Sequence, residues 1–175
     1  MRCASSREWG GSKAMLQAFE TNRLQVTPPN ILGDQDQLDI AAVLVPQVTA
    51  HVPPSMAFDP TQSSVQDWID RQCDEGAELW CLRTADAIIG LLAMAYPDDK
   101  TASIGYLFAP DAWGQGYATE LLSGVLNALH DTDVLSLYGG VELDNPASAR
   151  VLEKVGFVKD FETADTTMYR YDFKG

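Results

Sequence analysis

The sequence predicts a single mixed α/β domain whose strands pair partly antiparallel and partly parallel, and three observations predict it. The first is residues 103–122, where Ile104, Tyr106 and Phe108 alternate in strand fashion before Pro110 and Asp111 stop the ladder. After Gly114 and Gly116 the period changes, and Leu121, Leu122, Val125, Leu126 and Leu129 recur at helical spacing. The second is the run A-I-I-G-L-L-A-M-A-Y at 87–96, apolar throughout, which belongs at the centre of a sheet. The third is the element order β-α-α-β-β-β-α-β-α-β-β, in which helices interrupt the strands only at certain points.

Each element has a local reason. Residues 1–19 read as a flexible extension, small and polar up to Lys13, and 20–175 as the domain. Residues 21–27 alternate and run into Pro28-Pro29, a short strand. Asp34 is placed to cap a helix carrying Leu38, Ile40, Ala41, Leu44 and Val45, which Pro46 stops. Four prolines between 46 and 62 make that segment a loop. Ser64 with Asp67 three residues on forms a capping pattern for a helix that buries Val65, Trp68 and Ile69 and ends at Gly76. Strands follow at 78–84, 87–96 and 101–109, then the helix after Gly116, then a strand at 134–143. Asn145-Pro146 is a strong helix start, with asparagine as the cap and proline in the first position. Val151, Leu152 and Val155 form that helix's apolar stripe, and Gly156 ends it. A hairpin around Thr163-Ala164-Asp165 closes the chain.

Composition narrows the class. At 175 residues, 46% hydrophobic and 21% charged, the chain suits one soluble globular domain with a good core. No apolar run approaches the ~20 residues of a membrane span, and the first residues lack the apolar stretch of a secretory signal. Three cysteines without metal spacing read as free thiols in a reducing cytoplasm. The net charge of −13 repels nucleic acid backbones and anionic membranes. It favours cationic partners such as amines, although solubility alone also explains it.

A glycine turn that opens a helix leaves backbone N–H groups unpaired, and those amides attract phosphate oxygens with the help of the helix dipole. An ordinary tight turn explains the two glycines equally well. A dinucleotide fingerprint needs a third glycine where Thr119 stands, and no G-K-[ST] follows to make a P-loop.

The segments W-G-Q-G-Y-A-T-E at 113–120 and N-P-A-S-A-R-V-L-E-K-V-G-F at 145–157, in this element order, resemble the GNAT acetyltransferase superfamily. Together with T-N-R-L-Q-V-T-P at 21–28 they are similar to its ribosomal-protein N-terminal acetyltransferase branch, the RimJ/RimL type. The resemblance covers about residues 20–173. It implies a GNAT-type α/β fold: a single mixed, mostly antiparallel sheet of six to seven strands, flanked by helices, with a splayed parallel pair at the cofactor site. It also implies acetyl-CoA as co-substrate, no metal, an amine acceptor (a peptide N-terminus or a small amine), and a monomer or homodimer.

By the same resemblance, the pyrophosphate meets Gly114, Gln115, Gly116, Tyr117, Ala118 and Thr119, and the pantetheine arm pairs with backbone at Leu107, Phe108 and Ala109. Trp113 stands where much of the superfamily has Arg or Gln, which matters little if amides make the contact. Ser148 lies near the sulfur and protonates the thiolate, while Asn145 contacts the pantetheine. The plain alternative makes Asn145 only a cap and Ser148 a tolerated first-turn residue.

Some relatives carry a glutamate base at the position of Gly140. Glu142 lies on the same strand face and substitutes for it, unless it is merely a solvated carboxylate. The tyrosine acid of many relatives is Leu152 here. His51 sits in the loop that faces acceptors in this family and otherwise reads as simply exposed. A non-catalytic acyl-CoA-binding module is the competing reading.

Overall fold

The computed structural model describes residues 16–30 and 32–173, with the elements β1 (Phe19–Glu20), β2 (Gln25–Thr27), α1 (Asp34–Val43), α2 (Pro46–Thr49), α3 (Val65–Asp74), β3 (Glu78–Arg83), β4 (Ile88–Ala95), β5 (Thr101–Phe108), α4 (Tyr117–Leu129), β6 (Ser136–Glu142), α5 (Pro146–Lys154), β7 (Val158–Glu162) and β8 (Thr166–Asp172). The strands form one eight-stranded sheet in the order β1-β2-β3-β4-β5-β6-β8-β7. Every pair is antiparallel except β5 with β6. The crossover between those two is α4, as a parallel connection requires.

Helices cover both faces, so two cores form. One lies under α4 and α5 and contains Leu82, Leu92, Met94, Leu121, Leu122, Val125 and Leu152. The other lies under α1 and α3 and contains Ile40, Val43, Trp68, Ile69, Leu79, Cys81 and Leu91. The apolar run at 87–96 becomes β4, covered on both faces, which is why it lacks alternation. All five apolar residues expected on α4 are buried.

The structure departs from the sequence reading at four places. The sheet has eight strands, because Phe19, assigned to the extension, begins β1 and packs beside Gly124 of α4. Leu16 is likewise buried, and its N–H donates to the Tyr96 hydroxyl at 3.0 Å. The rest of the expected extension, 1–15, lies outside the described residues. Gly33, not Asp34, caps α1; its N–H is taken by Asp36 Oδ2 at 3.0 Å. Pro46 opens the short α2 instead of merely ending α1, since its fixed φ suits a first helical position. Finally, Cys81 is a free thiol whose burial pushes its pKa up to about 11, but Cys73 is not free, which corrects the expectation for that residue.

Ser64 and Asp67 form the expected reciprocal cap, and the Asn145 side chain accepts the Ser148 N–H at 3.2 Å. No helix among the described residues is long and apolar enough to cross a membrane.

Candidate active site

Strands β5 and β6 pair only from Thr101↔Ser136 to Ile104↔Gly139. Beyond that point β5 continues to Phe108 and β6 to Glu142 without pairing to each other. The sheet is therefore split at its middle, and a cleft of about 900 Å³ occupies the split. Its walls come from the α4 turn, from the start of α5, from the open ends of β5 and β6, and from the α2 region on the opposite face.

The turn before α4 is bent by two left-handed residues, Gly114 at φ +71° and Gly116 at φ +82°. Side chains rarely adopt these values, which is why glycines stand there. The first helix bond runs from the Glu120 N–H to the Gly116 carbonyl at 3.1 Å, so the N–H groups of Tyr117, Ala118 and Thr119 precede the ladder, and all three residues line the cleft. Trp113 closes the turn differently from an Arg or Gln, because its indole N–H donates to the Phe108 carbonyl at 2.9 Å. Gln115 turns its side chain back to the Asp111 carbonyl at 2.6 Å.

Arg23 was not singled out by sequence, yet it holds this turn. It donates to Glu120 Oε2 at 2.7 Å and to the Gln115 carbonyl at 3.0 Å, and its guanidinium lies 4.2 Å from the Tyr117 ring centroid. Burial acts to raise the Glu120 carboxyl, but the hydrogen bonds from Thr21 and Arg23 outweigh it and hold it below the usual range. The first-turn carboxylate is thus neutralised next to a place suited to an anion.

At the start of α5, Ser148 Oγ lies 3.0 Å from the Tyr106 hydroxyl, which reaches across the split from β5. Burial raises the Tyr106 pKa, partly offset by the Ser148 bond. Tyr106 was read as an ordinary strand aromatic; the signal for more was a hydroxyl on an apolar strand leading into a glycine turn. Leu152 packs against Gly139 and offers no proton.

Glu142 ends β6, and its Oε2 lies 3.1 Å from His51 Nδ1. A carboxylate only accepts, so Nδ1 carries the proton in this pair. Asp144 Oδ1 stands 3.6 Å from the same nitrogen. The side chains of His51 and Glu142 are 42% and 37% exposed, at the mouth and not in the depth of the cleft. A side chain at Gly140 would press on Met168 Sδ at 3.1 Å, which is a physical reason for the vacancy there.

Of the residues expected at the site, Leu107, Phe108, Gly114, Gly116, Tyr117, Ala118, Thr119, Glu142, Asn145 and Ser148 line this one cleft, and so does His51. Gln115 and Ala109 do not, and the Ala109 N–H is spent on the Ile89 carbonyl at 2.8 Å. The Phe108 carbonyl is also taken, so β5 does not have that oxygen free for a ligand.

Comparison with known proteins gives the same picture. A family model described as acetyltransferase (GNAT) domain matches residues 23–158. An uncharacterized N-acetyltransferase, YoaA of Bacillus subtilis (strain 168), is 40% identical over 73 residues, a stretch that spans 41% of each chain. Among solved structures, a GNAT-family acetyltransferase from Bacillus anthracis superposes with a TM-score of 0.74 at 18% identity, covering 91% of this chain and 100% of that one. A RimL ribosomal L7/L12 alpha-N-protein acetyltransferase in complex with coenzyme A superposes at 0.64 and 17% identity, covering 87% and 95%. The split sheet, the glycine turn and the extent of the family match lead to one statement: the chain belongs to the GNAT acetyltransferase family.

Proposed function

We propose that the protein is an acetyl-CoA-dependent N-acetyltransferase that acts on a primary amine. The observation that carries this is the glycine-bent start of α4 opening on a split between parallel strands, with a hydroxyl pair at the far side. Amides of Gly116 to Thr119 face the pyrophosphate, and Arg23 keeps Glu120 from repelling it. The open edge of β5 takes the pantetheine through its backbone, and Asn145 fixes the first turn of α5 beside it.

Transfer joins the amine nitrogen to the acyl carbon as the carbon–sulfur bond breaks. The amine gives up a proton and the thiolate gains one. Ser148 supplies the second proton, and Tyr106 holds the Ser148 hydroxyl in place and can replenish it. Glu142, oriented by His51, receives the first proton directly or through one water; the pair stands where an acceptor enters. Holding amine and thioester together contributes much of the rate.

The RimJ/RimL assignment is part of this reading; the coenzyme A-bound neighbour supports it by fold alone. So are a cytoplasmic setting and a monomer or homodimer. The lack of a hydroxyl at Leu152 favours a second reading, a cofactor-binding module without turnover. Incubating the purified chain with acetyl-CoA and a panel of amines, and reading thiol release, decides between them. Amine-dependent release is expected. Binding of CoA without release from any amine would establish the second reading.

A further inference from the structure

The two sides of the cleft differ in chemistry, and the difference speaks to the acceptor. Beyond the split, on the α3 face of the sheet, the wall is Val48, Val52, Met56, Leu79, Leu91 and Leu107. It is a fixed wall. Three side chains of α3 hold the turn that carries Met56: Trp68 Nε1 donates to the Met56 carbonyl at 3.1 Å, Gln72 Nε2 to the Ser55 carbonyl at 3.0 Å, and Arg71 to the Ala57 carbonyl at 3.3 Å.

The charged groups are few. The chain has 25 acidic residues, yet among the described residues lining the cleft Glu142 is the only carboxylate, and it is already bonded to His51. A second carboxylate, Asp144, stands 3.6 Å from His51 Nδ1, so both carboxylates gather at the mouth and neither reaches the apolar wall. A polyamine would bring two or more ammonium groups to a site whose two carboxylates both stand at the His51 mouth. Laying the second along this wall would leave a desolvated charge without a partner. An amine with one charge and an apolar body has no such cost, and its body is stabilised by leaving water.

We propose that the acceptor is a monoamine on an uncharged, apolar body, with its nitrogen at Glu142 and its body on the wall that includes Val52 and Met56. The inference rests on the proposed acetyl transfer. It disfavours polyamines. The same chemistry arises from a peptide whose first residue is large and apolar and from a free apolar amine.

The test measures initial rates of thiol release from acetyl-CoA with three acceptors: a lysine-free peptide beginning with leucine, phenylethylamine, and spermidine. At least one apolar acceptor should exceed spermidine in kcat/KM by about tenfold or more, the scale of one apolar pocket contact. The better of the two apolar arms identifies the source. A Met56→Glu variant of the full chain, shown to be folded by its melting curve, should lose about tenfold on the apolar acceptor and narrow or reverse the gap to spermidine. Spermidine as the preferred substrate of the unaltered protein would overturn the inference and leave acetyl transfer standing. So would a folded Met56→Glu variant with unchanged preferences. No release from any amine would overturn the proposed acetyl transfer and this inference with it.

Discussion

The start of α4 and the wall between α2 and α3 face each other across the same cleft and are made of opposite materials. The first presents backbone N–H groups, bent into place by Gly114 and Gly116 within seven consecutive residues. The second presents side chains from segments far apart in sequence, set in place by α3 side chains bonded to the backbone of residues 55–57. A site for phosphates, which every acetyl-CoA molecule carries alike, is well served by backbone amides, which no substitution other than proline removes. A site for an acceptor needs shape and charge that vary, and side chains supply both.

That contrast sorts the expected effects. The largest belongs to the turn. Gly116→Asp places a like charge at the phosphate site and a side chain in a left-handed conformation; CoA affinity measured by calorimetry should fall by about a hundredfold or more. A folded variant with unchanged affinity would mean the turn is not the cradle.

Next is the hydroxyl pair. Ser148→Ala should lower kcat by about 10–100-fold with little change in the KM for acetyl-CoA, and Tyr106→Phe should lower it by less because Ser148 remains. Equal losses in both variants would show that the two hydroxyls act only as a unit.

Glu142→Gln comes third. It keeps the size and removes the base, so kcat/KM should drop by about tenfold at neutral pH and recover partly at high pH, where the amine is already neutral. A loss that is flat with pH would make Glu142 a positioning residue instead.

The smallest effect concerns stability. Glu120 has a depressed pKa in the folded protein, so its contribution is present above the ordinary carboxylate range and is lost as pH falls through the folded value. Glu120→Gln should therefore be less stable than the natural chain at pH 7, on the order of 1 kcal/mol. Urea unfolding should show that gap closing as the pH falls below about 4.

The same division explains how far the sequence could be read. Asn145-Pro146, Ser64 with Asp67, and the two-glycine turn were legible because each is a local device whose partners lie within a few residues. The apolar run of β4 announced its central place. The site was legible on its cofactor side for the same reason. His51 and Glu142, by contrast, meet across 91 positions, Tyr106 and Ser148 across 42, and Arg23 and Glu120 across 97. Periodicity carries no record of such contacts. Leu16 and Phe19 went unread because two residues of strand give too short a pattern, and Phe19 owes its place to the room beside Gly124.

In the proposed enzyme the cofactor lies on the turn, and the acceptor wall does not hold it. The direct measurement follows the backbone amide NMR signals of the natural chain as CoA is added. The largest shifts are expected at residues 115–119, with smaller ones at 105–108 and 145–148 and little change at 48–56. Shifts centred on 48–56, with the amides of 115–119 unmoved, would contradict that placement.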